Sequence, residues 1–417
     1  LLYTDKKGRV KVHPAFYMLG STGELITEPV EEEMIPLPEG AVLVSLPGCR
    51  PVAADEQGKW RLVDDAANKT EIYAVGALLP QGFMRTLLPA YSKTGDVTLP
   101  FFGYTAVGFK DDQFYVAARQ VDEHYYWHPR FFNTPELPAL IAQRQKEFPG
   151  NRLLKQLAFC AREYACFTAQ NIFYRRWEGG LPVSPSCNAR CLGCISEQSG
   201  ECCPSPQARI NFIPHKEEIV PVAVKHLEEA PAGLVSFGQG CEGEPTLQFN
   251  LLREVIAAIR KKTGKGKINI NTNGSRPEIW SILADAGLDS IRVSLISALP
   301  EVYHMYYRPV DYDFVQVCRT LENGKKHKLF VSLNYLVIPG FTDTATELSA
   351  LIGLLEKYPV DLLQIRNLNM DPSLFFQQIK INEEPLGMVA WLNTVRTSLP
   401  DLKIGGFTRF SEDKGAA

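Results

Sequence analysis

Lys267-Ile268-Asn269-Ile270-Asn271-Thr272 and Ser290-Ile291-Arg292-Val293-Ser294-Leu295, with a helix-period segment over 277–286 between them, are the stretch from which the fold is read. Strand, helix, strand in this order and at this length is a parallel βα unit. The same alternation extends both ways. Strands are expected over 181–184 and 233–237 on one side and over 329–335 and 361–365 on the other, with helices over 216–229, 247–263, 343–357 and 384–399. Six such units fit between residues 181 and 400, where a closed eight-stranded barrel would need more chain. The expected fold is α/β, an open, TIM-like partial (βα)6 barrel. In such folds the chemistry gathers at the C-terminal ends of the strands. Five polar motifs fall there: the cysteine run after the first strand, Gly240-Cys241-Glu242-Gly243-Glu244-Pro245 after the second, Asn271-Thr272-Asn273-Gly274, Ser294 to Ser297, and Val337-Ile338-Pro339-Gly340.

Ahead of the barrel the pattern is different. Short β-type runs broken by turn residues, such as 42–46, 71–75, 104–109 and 113–118, with a hairpin turn at Lys110-Asp111-Asp112, predict a small, mostly antiparallel module over 1–132. It would bind substrate or shield the main domain. Helical periodicity through Leu137, Leu140, Ile141, Leu153, Leu154 and Leu157 makes 133–180 a helical connector. Residues 181–400 are the core and 401–417 a tail. His124 and His128 stand four apart, a metal-ligand spacing on a helix, but Pro129 and the bulky aromatics around it favour a domain interface.

The 417-residue chain is 45% hydrophobic with a formal net charge of −3, which fits a two-domain globular protein and gives no large basic surface for nucleic acid. No apolar run approaches a membrane span, and Leu1 to Val12 lacks the apolar core of a signal peptide, so a cytoplasmic location and no membrane partner are expected. Ten grouped cysteines argue for metal binding or thiol chemistry in a reducing compartment.

Cys187-Asn188-Ala189-Arg190-Cys191-Leu192-Gly193-Cys194 places three thiols at CxxxCxxC spacing on one short loop. Three thiols so placed look like three ligands for one metal centre. A zinc site more often shows paired halves with four ligands, and no matching second half stands at the usual spacing. Arg190 and the loop's backbone N–H groups would help hold the negative charge. In the second motif, Gly243 admits a close backbone approach, and Pro245 fixes the turn so that carbonyls and the Glu244 carboxylate face an ammonium group.

The cysteine motif, Glu-Gly-Glu-Pro after the second strand and the partial barrel together resemble the radical S-adenosylmethionine (radical SAM) superfamily over about residues 181–400. The resemblance implies an oxygen-sensitive enzyme whose Cys187, Cys191 and Cys194 ligate three irons of a 4Fe-4S cluster, with SAM on the fourth. It implies reductive cleavage of SAM to methionine and a 5′-deoxyadenosyl radical, which takes a hydrogen atom from the substrate. Residues 242–245 would hold the methionine end of SAM, Ser294 its ribose or carboxylate and Arg308 that carboxylate; Asn273 would line the cleft, and Ile338 and Gly340 would meet the adenine. The electron donor would be a flavodoxin or ferredoxin; the substrate is a peptide, an RNA or a small metabolite.

Three departures qualify the match. Glu242 replaces the first glycine of the family's Gly-Gly-Glu-Pro, Gly193 replaces the aromatic residue that precedes the third cysteine, and Leu336 and Asp343 depart from the fifth-strand motif. The cleft at Gly193 is either wider or filled by an aromatic from elsewhere, such as the N-terminal module. Cys241, at the rim, is the candidate catalytic thiol for hydrogen-atom transfer, against an inert buried one. Cys160, Cys166, Cys202 and Cys203 would be needed for an auxiliary cluster, the mark of a methyl or sulfur transferase of the same superfamily. A non-catalytic iron-sulfur or zinc protein, such as an electron carrier or regulatory binder, would explain the thiols but leave the rim motifs without a purpose.

Overall fold

A computed structural model describes residues 1–64, 71–123, 125–198 and 205–408; His124, Cys202 and Cys203 lie outside the described residues. Strands Glu178–Gly180 (β1), Leu234–Phe237 (β2), Lys267–Thr272 (β3), Ser290–Leu295 (β4), Phe330–Val337 (β5), Leu362–Asn367 (β6) and Lys403–Gly405 (β7) form one sheet in sequence order, every neighbouring pair parallel. Helices Lys216–Glu229 (α1), Phe249–Lys262 (α2), Trp280–Asp285 (α3), Pro300–Tyr307 (α4), Phe314–Lys326 (α5), Ala345–Lys357 (α6), Pro372–Gln378 (α7) and Met388–Ser398 (α8) alternate with the strands. The result is a partial TIM-like barrel with an N-terminal antiparallel module. Among the described residues no helix is long and apolar enough to cross a membrane.

Strand alternation gives the barrel its two faces. Ile268, Ile270, Ile291, Val293, Leu295, Val331, Leu333 and Leu363 join one core with Ile256, Ile259, Leu321 and Leu351 of the helices. The alternate positions are mostly polar, Asn269, Asn271, Ser290, Arg292, Ser294, Ser332, Asn334, Gln364 and Arg366 among them. Near the C-terminal ends of their strands, Asn271, Ser294 and Asn334 are half-buried between buried neighbours, and Arg366 is half-buried as well, which marks an open mouth.

The first strand differs from expectation, ending at Gly180 rather than occupying 181–184. Leu181 still donates to Ser236 O (2.9 Å), but the N–H groups of Val183 and Ser184 go to the Glu242 carboxylate instead of a neighbouring strand. The seventh strand falls within the segment expected to be a tail; three residues are too short to announce themselves by period. Between β4 and β5 the chain also forms α4 and α5, where no helix was expected.

Within the N-terminal module every strand pair is antiparallel, and Tyr104–Lys110 turns into Gln113–Gln120 through Asp111 and Asp112, both at positive φ (49° and 58°). This is the backbone of a two-residue hairpin turn whose twist matches its strands. The module sits over the ends of the last strands. Gly23 N donates to Pro339 O (3.0 Å), Arg85 N to Asn367 Oδ1 (3.0 Å), Asn367 Nδ2 to Phe83 O (2.9 Å), and Arg85 Nη2 to Leu368 O (2.9 Å). Asp371, fully buried, accepts from Lys93 Nζ (2.6 Å) and Leu99 N (2.7 Å) while its other oxygen caps α7 through Ser373 N (2.9 Å).

Below the sheet, His226 of α1 is 1% exposed and its Nε2–H donates to Trp177 O (2.8 Å); burial pulls the imidazole down to about 4 from 6.5. The folded value lies below the unfolded one, so this contribution is complete above pH 6.5 and disappears as pH falls through 4. Unfolding in urea should show stability falling by up to about 3 kcal/mol across that window, and His226→Gln should flatten that part of the profile.

Candidate active site

The cysteine loop is held from two sides. On one, Ala189 bridges Pro309, Arg190 N donates to Tyr307 O (2.9 Å), Leu192 N to Tyr306 O (2.9 Å) and Val310 N to Asn188 O (3.0 Å). The chain can make this pairing because Arg308 ends α4 in the left-handed conformation (φ 48°) and turns the backbone back along the loop. Beneath lies a tyrosine cluster: Tyr303 stacks on Tyr307 at 4.6 Å, Tyr306 meets Tyr307 edge-on at 4.9 Å, and Tyr303 Oη donates to Tyr312 Oη (3.1 Å).

On the other side stands the loop after β2. Gly243 N donates to Ser184 O (2.8 Å) and Glu244 N to Ser186 O (2.9 Å). A Cβ on Gly243 would lie 2.0 Å from Ser186 O and 3.0 Å from Cys187 N, so only glycine admits the first cysteine's backbone this closely. Glu242, 5% exposed, accepts four backbone N–H bonds: from Val183 (2.7 Å) and Ser184 (3.0 Å) at Oε2, and from Gly238 (2.5 Å) and Gln239 (3.0 Å) at Oε1. Burial pushes its carboxyl up to about 7 against the pull of those N–H groups. The side chain that replaces the family's glycine is thus a clamp between the loops after β1 and β2.

Glu244 faces the third strand. Its Oε1 accepts from Thr246 N (3.1 Å), Thr246 Oγ1 (2.6 Å) and Thr272 Oγ1 (2.8 Å), and Oε2 from Asn273 N (2.8 Å). Burial raises its carboxyl as well, with these donors opposing. Asn273 Nδ2 donates to Asn188 Oδ1 (2.8 Å), and Asn188 Nδ2 to Asp311 Oδ1 (2.7 Å). One hydrogen-bonded chain therefore runs from Glu244 to the cysteine loop. Pro245 starts the short helix Pro245–Gln248 with its missing donor at a position that needs none.

Cys187, Cys191 and Cys194 are half-buried and unpaired. Cys191 is pushed well above the ordinary thiol range by burial, then by Cys187 and Cys194; burial brings Cys187 up to about 11. Arg209 Nη2 donates to Cys194 Sγ (3.5 Å). Among the described residues no group of His, Cys, Asp or Glu side chains has the geometry for one metal ion. The ligands of a cluster bind separate irons and stand farther apart than the ligands of one ion. Three neighbouring thiols on one loop with a guanidinium on the third fit a cluster donor set.

Gly193 is answered by Tyr306: a Cβ there would lie 2.5 Å from the Tyr306 Oη. The buried phenol of α4, not an aromatic of the N-terminal module, fills the space beside the third cysteine. Arg308 donates to Gln378 Oε1 (3.4 Å) and lines, with Arg190, His304, Pro309 and Val310, an open groove of about 570 Å³ on the outside of the loop. No hydrogen bond joins it to Ser294 among the described residues. Ser294 is half-buried at the mouth, paired in register with Asn334. Ile338 is fully buried and donates its N–H to Thr342 Oγ1 (2.9 Å). Gly340 N donates to Asp343 Oδ1 (2.7 Å), and a Cβ on Gly340 would lie 2.0 Å from Gly23 N, so the N-terminal module occupies that side of it.

Cys241 is 3% exposed, and the neighbouring Cys160 thiol, followed by burial, raises its own well above the ordinary range. It faces the helical connector, not the open mouth. Cys166 bonds Thr168 Oγ1 (3.3 Å) and is raised by burial. His128 caps the turn Pro129–Phe131 through Nδ1 and lies 3.5 Å from Glu39. Tyr306, Asn188 and Arg209 are the residues that sequence reasoning missed; of these only Tyr306, in the run Tyr306-Tyr307 beside Arg308, carried a visible signal.

A partial barrel with a three-thiol loop at its mouth, braced by a Glu-Gly-Glu-Pro turn, defines a cluster-binding class of α/β protein. Residues 181–351 match the radical SAM superfamily. It is 30% identical over 166 residues to a probable GTP 3',8-cyclase of Thermococcus kodakarensis, covering 39% of this chain and 48% of the relative. It is 30% identical over 168 residues to a GTP 3',8-cyclase of Aquifex aeolicus, with the same 39% and 48% coverage, so the chain spans about half the length of the curated relatives it matches. Among solved structures, the FeFe-hydrogenase maturase HydG of Carboxydothermus hydrogenoformans is 15% identical at a TM-score of 0.39, covering 65% of this chain and 71% of that one. At this TM-score it adds nothing to the fold read from the sheet.

Gly243→Ala forces a methyl group into backbone that no rotamer change can relieve. It should lower stability by about 2–3 kcal/mol, read as a shift in the denaturation midpoint. Gly264→Ala, where nothing lies within 4 Å of the added Cβ, should leave the midpoint nearly unchanged.

Proposed function

We propose that the chain is a radical SAM enzyme that cleaves S-adenosylmethionine reductively and abstracts a hydrogen atom from its substrate. The observation that carries the proposal is the junction of the two loops: Gly243 and Glu244 hydrogen-bond to Ser184 and Ser186, immediately before Cys187. A thiol loop and a Glu-Gly-Glu-Pro turn brought together at a barrel mouth are what cluster and SAM require of one another.

Cys187, Cys191 and Cys194 hold the 4Fe-4S cluster, and Arg209 offsets charge at Cys194. When bound, the reduced cluster supplies the electron that cleaves SAM to methionine and a 5′-deoxyadenosyl radical. The backbone of residues 242–245 and Asn273 hold the methionine end of SAM, and Ser294 its ribose or carboxylate, while Glu242 keeps the two loops at a fixed separation through its four N–H bonds. Tyr306 closes the space beside Gly193, and Ile338 and Gly340 border the adenine side. Arg308 serves SAM only if its guanidinium leaves Gln378. The N-terminal module, docked over β5 to β7, excludes water from the mouth. A flavodoxin or ferredoxin supplies the electron, and an oxygen-labile cluster calls for a reducing, cytoplasmic setting.

Anaerobic reconstitution with iron and sulfide, reduction and addition of SAM should yield 5′-deoxyadenosine, falling to background when Cys187, Cys191 or Cys194 is replaced by Ala. A fully loaded protein that releases none overturns the proposal. Cys241→Ala separates the roles of that thiol: lost substrate turnover with retained SAM cleavage marks a hydrogen-atom donor, whereas unchanged turnover marks a packing residue, which its contact with Cys160 favours.

A further inference from the structure

Arg366 stands at the barrel mouth without a carboxylate partner among the described residues, and we propose that the substrate is an organic anion whose carboxylate or phosphate group is held by Arg366. The proposal rests on the reading above only in taking the mouth as the substrate site.

Three ionisable side chains interact along the lumen that leads to the mouth. Glu178, at the start of β1, is 4% exposed and accepts from Arg292 Nη1 (3.1 Å) and Ser236 Oγ (2.6 Å). Arg292 in turn donates from Nη2 to Thr408 Oγ1 (2.6 Å), and Gln364 Nε2 donates to the same hydroxyl (2.6 Å). One carboxylate and one guanidinium are thus matched in the lumen. Arg366 is the second guanidinium: it feels both the Glu178 and the Arg292 charge, and with burial is lowered only to about 10, so it is cationic at neutral pH. Its contacts are neutral, Nη1 donating to Gln81 Oε1 (3.2 Å) and the guanidinium lying 5.5 Å from the Phe407 ring centroid. No carboxylate forms an ion pair with it among the described residues.

Arg366 is half-buried at the C-terminal end of β6, beside Leu336 in register; Asn334 on neighbouring β5 and Ser294 on β4 beyond it, paired with each other, present half-buried polar side chains. Arg292 Nε, within a residue 7% exposed, has no hydrogen-bond partner. Unmatched charge and unpaired buried donors both cost stability. An incoming anion repays that cost selectively, and guanidinium takes carboxylate and phosphate in the same planar fork.

Isothermal titration of the metal-free protein, without SAM, with inorganic phosphate and separately with acetate tests the proposal. At least one should bind, with affinity at least about tenfold weaker in Arg366→Gln and largely recovered in Arg366→Lys. Binding of phosphate alone identifies a phosphorylated substrate, and of acetate alone a carboxylate. Arg366→Met keeps the apolar stem against Phe407 and replaces the Gln variant if that one does not fold. The proposal is overturned if neither anion binds the wild-type protein, or if the neutral variant binds as well as wild type. Such a failure leaves 5′-deoxyadenosine formation untouched, whereas failure of SAM cleavage leaves these titrations as they are.

Discussion

One buried carboxylate organises the mouth of this barrel. Glu242 gathers four backbone N–H groups, two from the chain leaving β1 and two from the chain leaving β2. Those N–H groups lie beyond the strand ladder, and without the carboxylate they would be buried donors with no partner, at about 1–3 kcal/mol each. The same clamp brings Gly243 against Ser186 so closely that no side chain fits between them. The position of the first cysteine is therefore set by an anion and a missing Cβ. Neither the thiols nor any cofactor is needed to build it.

From this junction the rest of the site follows by contact. Glu244 reaches Thr272 and Asn273 at the end of β3, Asn273 reaches Asn188 within the cysteine loop, and the loop's far side rests on the tyrosines of α4. The barrel below is polar along its lumen and apolar along its outer face, so the strands pack their helices with one set of side chains and keep the other for solvent and ligand. The N-terminal module meets the opposite side of the mouth through Asn367 and Asp371. Two ends of the chain distant in sequence thus border one opening.

Much of this was legible in the chain. The βα alternation from Lys267 to Leu295 reads as parallel units because strand and helix periods are distinct, and the sheet has that order. The hairpin at Asp111-Asp112 was equally visible. What escaped has a physical reason in each case. Residues 181–184 look like a strand, but the N–H groups of Val183 and Ser184 are taken by a side chain fifty-odd positions away. Tyr306 fills the space at Gly193 from a helix that no expectation included, because an aromatic's partner is fixed by tertiary packing. Cys241 was expected at the rim and instead meets Cys160, since one sequence position cannot say to which side of a loop a side chain turns.

The central claim is that Cys187, Cys191 and Cys194 carry a cluster with one iron open to SAM. The electron paramagnetic resonance spectrum of the reduced, reconstituted protein, recorded before and after SAM is added, tests it most directly. The account predicts a 4Fe-4S signal whose shape changes on addition, because SAM becomes a ligand of the cluster. A cluster signal that SAM leaves unchanged would contradict it.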